Sequence, residues 1–260
     1  NVGDLMRWRV EATEAIREGS NRLLIHVDEL PGHITQGFLS AVAPHHGGIW
    51  QEVRMYRTGP LAIETDGVHI QTRPSEGNVK AVIVVEGNLA ARQITPKLRI
   101  SQYVPQAALQ LKPELIPVRG SYHTEIDPQN QQVTINLQLD DINLWSPENP
   151  FLYLAEVILS NSEQNDNPEF SDRVYQTFGF RTIEIKDHQV LLNGEEINLR
   201  SVLNWGYYPR VVSPYPPPQV VREEFAYIKS LGFNAETICL MNMPDYFYDI
   251  ADEMGLFVWQ

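Results

Sequence analysis

Three observations predict a multidomain, mainly β chain that changes to alternating strands and helices in its last quarter. Val133, Ile135, Leu137 and Leu139 alternate with Thr134, Asn136 and Gln138, the period-two pattern of a strand buried on one face. Asn193-Gly194, set between two apolar runs, is the strongest short hairpin signal and predicts a type I′ turn. Val221, Phe225, Ile228 and Leu231 then recur at helical spacing and make one apolar face of a helix.

The first stretch, Asn1 to about Ile63, reads as mostly β. Residues Arg22 to Asp28 form a short apolar run after the turn-forming Glu18-Gly-Ser-Asn21, and Gly48 to Tyr56 reads as a second strand behind the loop signal Pro44-His-His-Gly-Gly48. Glu11 to Arg17 fits either one helical turn or an irregular loop. These strands are too few to enclose a core, which predicts a truncated first domain.

From about Glu64 to Lys186 the β pattern is clear. Strands are expected at Val68–Thr72, Val79–Val85, Leu98–Tyr103, Val133–Leu139, Leu152–Leu159 and Tyr175–Ile185. Pro74-Ser-Glu-Gly77, Asp127-Pro-Gln-Asn130 and the polar stretch Asn161–Pro168 separate them. Roughly seven short strands over about 120 residues fit a β-sandwich of immunoglobulin size. With one cysteine, Cys239, the Cys–Trp–Cys pattern of true immunoglobulin domains is excluded.

Beyond Lys186 the pattern changes. Val190–Leu192 and Ile197–Leu199 are the hairpin arms, the second running on through Ser201 to Asn204. An aromatic and proline-rich loop, Trp205 to Pro218, leads into the first helix, with prolines at its start and Gly232 past its end. Phe233–Leu240 is the next strand. A helix from Pro244 turns Phe247, Ile250, Ala251 and Met254 inward and ends at Gly255, and Leu256–Trp259 is the last strand. Short β-α-β-α-β connections imply parallel strands with right-handed crossovers. They could begin a Rossmann-type sheet or a (β/α)8 barrel; no Gly-x-Gly-x-x-Gly follows the first strand, which lowers the dinucleotide reading. Three strands would leave an open parallel edge. The chain is therefore expected to be a fragment at both ends.

Composition narrows the function classes. Twenty Lys+Arg against 33 Asp+Glu give a net charge of −13 with no basic cluster, which argues against nucleic acid as a partner. No apolar run approaches the roughly 20 residues of a membrane-spanning helix, so no membrane partner is expected. Nothing in the sequence assigns a compartment, and homo-oligomer formation is left open.

Four stretches occur in a telling order: Gly48-Ile-Trp-Gln-Glu-Val53; Leu144-Trp-Ser-Pro-Glu-Asn-Pro-Phe-Leu-Tyr153; Phe178-Gly-Phe-Arg-Thr-Ile-Glu-Ile185 followed by Leu192-Asn-Gly194; and Gly232-Phe-Asn-Ala235 with Tyr248-x-x-Ala-Asp252-x-x-Gly-Leu-Phe-Val-Trp259. Together they resemble glycoside hydrolase family 2, the family of β-galactosidases, β-glucuronidases and β-mannosidases; the second stretch is the most specific. The resemblance implies three parts. Residues 1–63 would be the C-terminal part of a sugar-binding-type jelly roll, 64–186 an immunoglobulin-like β-sandwich, and 187–260 the start of a (β/α)8 barrel. It also implies a carbohydrate partner and retaining hydrolysis of the O-glycosyl bonds of β-glycosides, with the catalytic carboxylates beyond the chain end. The alternative is a non-catalytic carbohydrate-binding or scaffolding relative. Departures lie at strand ends. Asn204 is kept, but Gly206 stands where the family pattern Gly-x-Asn-x-His has its histidine. Thr237 replaces the usual arginine, and Leu240-Met-Asn242 replaces His-Tyr-Pro.

No residue of this chain is expected to be catalytic. A retaining glycosidase needs two carboxylic groups about 5–5.5 Å apart. Asp140-Asp141 and Glu195-Glu196 are sequence neighbours on strands, so their side chains diverge. Asp249, Asp252 and Glu253 fall on a helix of the outer ring. Ligand contacts belong at the C-terminal ends of the barrel strands, which nominates Asn204, Trp205 and Asn242 as substrate-binding residues. Asn204 would hydrogen-bond a sugar hydroxyl or a catalytic carboxylate, or else cap its loop. Trp205 would stack on a pyranose or cover the first helix. Tyr207 and Tyr208 are candidates by position alone. Trp50, Trp145 and Trp259 read as packing residues, and Cys239 as an inert buried one. His45-His46 lacks a third ligand at useful spacing, so neither a metal nor another cofactor is predicted.

Overall fold

Among the described residues, seven strands between Leu61 and Phe178 build two antiparallel sheets in the computed structural model. They are β1 (Leu61–Arg73), β2 (Asn78–Gly87), β3 (Thr95–Gln102), β4 (His123–Asp127), β5 (Gln132–Gln138), β6 (Tyr153–Ser160) and β7 (Ser171–Phe178). One sheet has the order β1-β2-β5-β4 and the other β3-β6-β7. The structure describes residues 8–27, 48–49, 51–91, 94–105, 114–120, 122–160, 171–208, 210, 215–239 and 242–260.

Alternation decides which side chains enter the core. Val79, Ala81, Ile83 and Val85 of β2 and Val133, Ile135 and Leu137 of β5 are buried, while the residues between them are not. They join Leu98 and Ile100 of β3 and Ala155, Val157 and Leu159 of β6 in one apolar cluster. Each fully buried side chain of this size contributes about 1.5–3 kcal/mol, and no single strand would hold without its partners. β1 carries an irregularity between Ile63 and Val68, where Asp66 has φ 60° and the register shifts. Just before it the carboxylate of Asp172 on β7 accepts the Ile63 N–H at 2.7 Å, tying the first strand of one sheet to the last strand of the other.

The Trp145 motif closes this unit. Trp145 is 1% exposed. Its backbone N–H donates to the Phe180 carbonyl at 2.9 Å, and its indole N–H donates to the Asp252 carbonyl at 2.9 Å. The Asn193 amide donates to the Trp145 carbonyl at 3.1 Å, and the Arg181 guanidinium lies 4.8 Å from the indole centroid. The packing reading of Trp145 is borne out. Tyr153, Phe178 and Phe180 pack beside one another with centroids 5.2–5.8 Å apart.

Downstream lie β8 (Ile183–Lys186), β9 (Gln189–Leu192) and β10 (Glu195–Glu196), an antiparallel sheet in the order β10-β9-β8. Asn193 and Gly194 both have positive φ, 52° and 84°, as a type I′ turn requires. The chain ends with β11 (Ser201–Asn204), α1 (Pro218–Ser230), β12 (Ala235–Ile238), α2 (Asp245–Met254) and β13 (Phe257–Trp259). These three strands are parallel, in the order β11-β12-β13. By contacts, Met55–Leu199 with Asp252–Leu256 form one unit; Arg200–Ala251 and Phe257–Gln260, with the described part of the first 54 residues, form another.

Several expectations are corrected. Before Leu61 no strand forms among the described residues, so Arg22–Val27 and the described part of Gly48–Tyr56 are not β. Leu23 and Leu24 are adjacent, cannot share one face of a strand, and are 71% and 86% exposed. Glu11–Arg17 does hold one turn, with the Ile16 N–H donating to the Ala12 carbonyl. Tyr175–Ile185 is two strands rather than one, broken between Phe178 and Ile183, where Phe180 is buried beside Tyr153 and Phe178. The second hairpin arm stops at Glu196, and Ser201–Asn204 joins the parallel sheet instead. Leu231 lies past the last helical turn and is 57% exposed. Trp259 is 67% exposed, not core. Cys239 is half-buried, one residue beyond β12. Trp50 and His45-His46 lie outside the described residues.

Candidate functional site

Register sorts the parallel sheet into two faces. Val202 pairs with Glu236 and Asn204 with Ile238, while Glu236 also pairs with Val258; these residues share one face. Ser201, Leu203, Thr237, Phe257 and Trp259 share the other, where Leu203 and Trp259 are more than half exposed. There the Ser201 and Thr237 hydroxyls lie 2.6 Å apart in a hydrogen bond.

The first face carries a chain of polar groups. The Tyr208 hydroxyl donates to Oε2 of Glu224, on α1, at 2.9 Å. The amide of Asn204 donates to the Tyr208 hydroxyl at 3.1 Å and, with its other hydrogen, to Oε1 of Glu236. Its Oδ1 accepts the Gly206 N–H at 2.6 Å, which caps the turn leading to Trp205 and beyond. Glu236 is 1% exposed, and its Oε2 has no hydrogen-bond partner among the described residues. Burial, with the Glu224 charge adding to it, raises Glu236 to about 7, against the pull of the Asn204 hydrogen bond. Burial raises Glu224 too, and burial together with the Glu224 charge pushes the Tyr208 phenol upward. No basic side chain among the described residues pairs with either carboxyl.

Asn204 and Trp205 stand at the C-terminal end of β11, and Asn242 follows β12. Trp205 is half-buried and Asn242 exposed. The Gln260 amide, just past β13, donates to the Asn242 carbonyl oxygen. The Tyr248 hydroxyl, from α2, donates to the Gln260 side-chain oxygen at 2.7 Å and accepts the Met243 N–H at 3.2 Å. The three nominated residues therefore occupy the same edge of one parallel sheet, in two polar groups: Asn204 with Tyr208, Glu224 and Glu236, and Asn242 with Gln260 and Tyr248. Asp140, Asp141, Glu195 and Glu196 are exposed, and none belongs to this parallel sheet.

Sequence reasoning missed Glu236 and Glu224. Glu236 left a signal, as the one charged residue of the Phe233–Leu240 run. A carboxylate inside a strand buried by helices needs a partner, and the only question was which. Glu224 left less, since it flanks the apolar stripe of α1 where a solvated glutamate is ordinary.

Residues 63–181 match the family model described as glycosyl hydrolases family 2. Over 257 residues the chain is 26% identical to a candidate beta-glucuronidase of Formosa agariphila, covering 96% of this chain and 22% of that protein. Over 144 residues it is 31% identical to a beta-galactosidase of Photobacterium profundum, covering 55% of this chain and 13% of that one. Among solved structures, beta-glucuronidase 3 of Bacteroides uniformis aligns with a TM-score of 0.58 at 23% identity, over 84% of this chain and 24% of its own. A beta-glucuronidase of Bifidobacterium dentium aligns at 0.60 and 16%, over 77% and 30%. At these identities the structural matches speak to fold alone. The chain spans about a fifth or less of the curated relatives' length.

Proposed function

We propose that this chain is a segment of a family 2 glycosyl hydrolase and that the protein carrying it hydrolyses the O-glycosyl bonds of β-glycosides with retention of configuration. The observation that carries the reading is the shared edge of β11, β12 and β13, where Asn204, Trp205, Asn242 and Gln260 collect. In a (β/α)8 barrel the active site is built at that edge. In this reading β1–β7 form the immunoglobulin-like sandwich within residues 64–186, and 187–260 open the barrel.

Roles follow from hydrogen-bond capacity. Both amide hydrogens of Asn204 are used inside the protein, so it shapes the site by holding its turn. Trp205 offers an indole face on which pyranose C–H groups pack. Asn242 has its carbonyl oxygen engaged by Gln260, which leaves its NH2 to donate to a sugar oxygen. The nucleophile and the acid/base would come from outside these 260 residues. Glu236 and Glu224 sit on the helix-covered face and are used by Asn204 and Tyr208.

The test uses the protein that contains this chain with its flanking sequence. Turnover of at least one aryl β-galactoside, β-glucuronide or β-mannoside is expected, and proton NMR should show the β-anomer released first. Asn204→Ala should lower kcat/KM about 100-fold, the scale of a misplaced site segment. Release of the α-anomer would reject retention. A protein inert on the panel that still binds a glycan in calorimetry would move the reading to a non-catalytic carbohydrate binder.

A further inference from the structure

Asn204 is positioned by groups that the retaining mechanism does not use. Four side chains from three places in the sequence form one line: Glu224 on α1, Tyr208 on the loop between β11 and α1, Asn204 at the end of β11, and Glu236 within β12. Each link constrains the next. An asparagine amide at the end of a strand would ordinarily rotate between its loop and solvent. Here both N–H bonds and the oxygen are fixed at once, the oxygen by the Gly206 N–H. Removing Oε1 of Glu236 would leave one buried amide hydrogen without an acceptor and release that rotation.

We propose that Glu236 is a positioning residue for substrate: through the Asn204 amide it fixes the 204–206 turn and so the placement of Trp205 against the sugar. This rests on the reading above that Trp205 meets the substrate. Glu236 acts two hydrogen bonds from Gly206 and touches no ligand. Its burial at 1% exposure is consistent with a role exerted only through Asn204.

The effect belongs in binding. A turn that carries a stacking face contributes equally to ground and transition states, so its loss raises KM with little change in kcat. In the protein containing this chain, Glu236→Leu, of similar size and without an acceptor, should raise KM for the best aryl β-glycoside about tenfold. Its kcat should stay within about twofold. Glu236→Gln keeps an oxygen for the Asn204 amide and should return KM to within about twofold of the original. A merely structural role for Glu236 would show as lost folded protein, not as this split and rescue. Should Glu236→Leu fail to fold, Tyr208→Phe tests the other end, since it removes the hydroxyl oxygen that accepts from Asn204; it should raise KM in the same direction. A folded Glu236→Leu with unchanged KM, or a Gln variant no better than Leu, overturns the proposal. Trp205→Ala separates the two readings: if it raises KM while Glu236→Leu does not, only the positioning role falls. If Trp205→Ala leaves KM unchanged, or the protein turns over nothing, the reading beneath it falls and takes the positioning role with it.

Discussion

Glu236 holds a carboxyl group at 1% exposure with one hydrogen bond and one oxygen unpartnered among the described residues. Burial, then the neighbouring Glu224 charge, moves it from 4.5 to about 7. Such a group binds its proton more tightly folded than unfolded. Its stabilisation is therefore complete below about pH 4.5 and is lost as pH rises through about 7, levelling above that. A rise of this size corresponds to about 3 kcal/mol. Glu236→Gln cannot ionise, so the gap between variant and parent should open in the variant's favour between pH 5 and pH 8, by up to that amount. Urea midpoints of the two proteins at both pH values check it; parallel curves would show that Glu236 ionises freely in the fold. Only half of this residue was legible beforehand. A lone charge in a buried strand is visible in the sequence, but its partner Asn204 lies 32 positions away and on another strand. No local pattern carries that pairing.

Both helices of the parallel unit stop at a glycine in the left-handed region, Gly232 at φ 86° after α1 and Gly255 at φ 69° after α2. Sequence alone makes them equivalent. The structure does not. A Cβ on Gly232 would meet nothing within 4 Å, whereas one on Gly255 would lie 2.5 Å from the Pro147 carbonyl oxygen. Gly232→Ala should cost about 1 kcal/mol, the strain of the backbone alone. Gly255→Ala should cost about 2–4 kcal/mol, because the obstructing atom is backbone and cannot swing aside. Thermal unfolding of the two variants measures the difference, and equal costs would mean that the Pro147 loop yields. The same limit explains which elements were legible. Val133 to Leu139 and the Asn193-Gly194 turn are specified by their own residues, and they form as expected. Residues 22–27 are apolar enough for a strand, yet a strand exists only with a neighbour, and periodicity names no neighbour. Trp259 was misplaced because a three-residue strand does not reveal which sheet face a helix covers.

At the scale of the whole chain, the 260 residues expressed alone should turn over none of the three aryl β-glycosides, since no pair of carboxyls among the described residues stands at the strand edge. Measurable hydrolysis by the isolated chain, abolished by substituting one of its own carboxylates, would refute that. The long-range bonds of the sandwich have a further consequence, in time rather than space. Ile63 waits for Asp172, 109 residues later; Thr72 for Gly179, 107 later; and the Trp145 indole for Asp252, again 107 later. At roughly 5–20 residues per second, each wait on the ribosome lasts on the order of 5–20 s. Until β6 and β7 follow, the apolar side of β2 stands made but uncovered, so the nascent chain exposes to chaperones a surface that the finished sandwich no longer reveals.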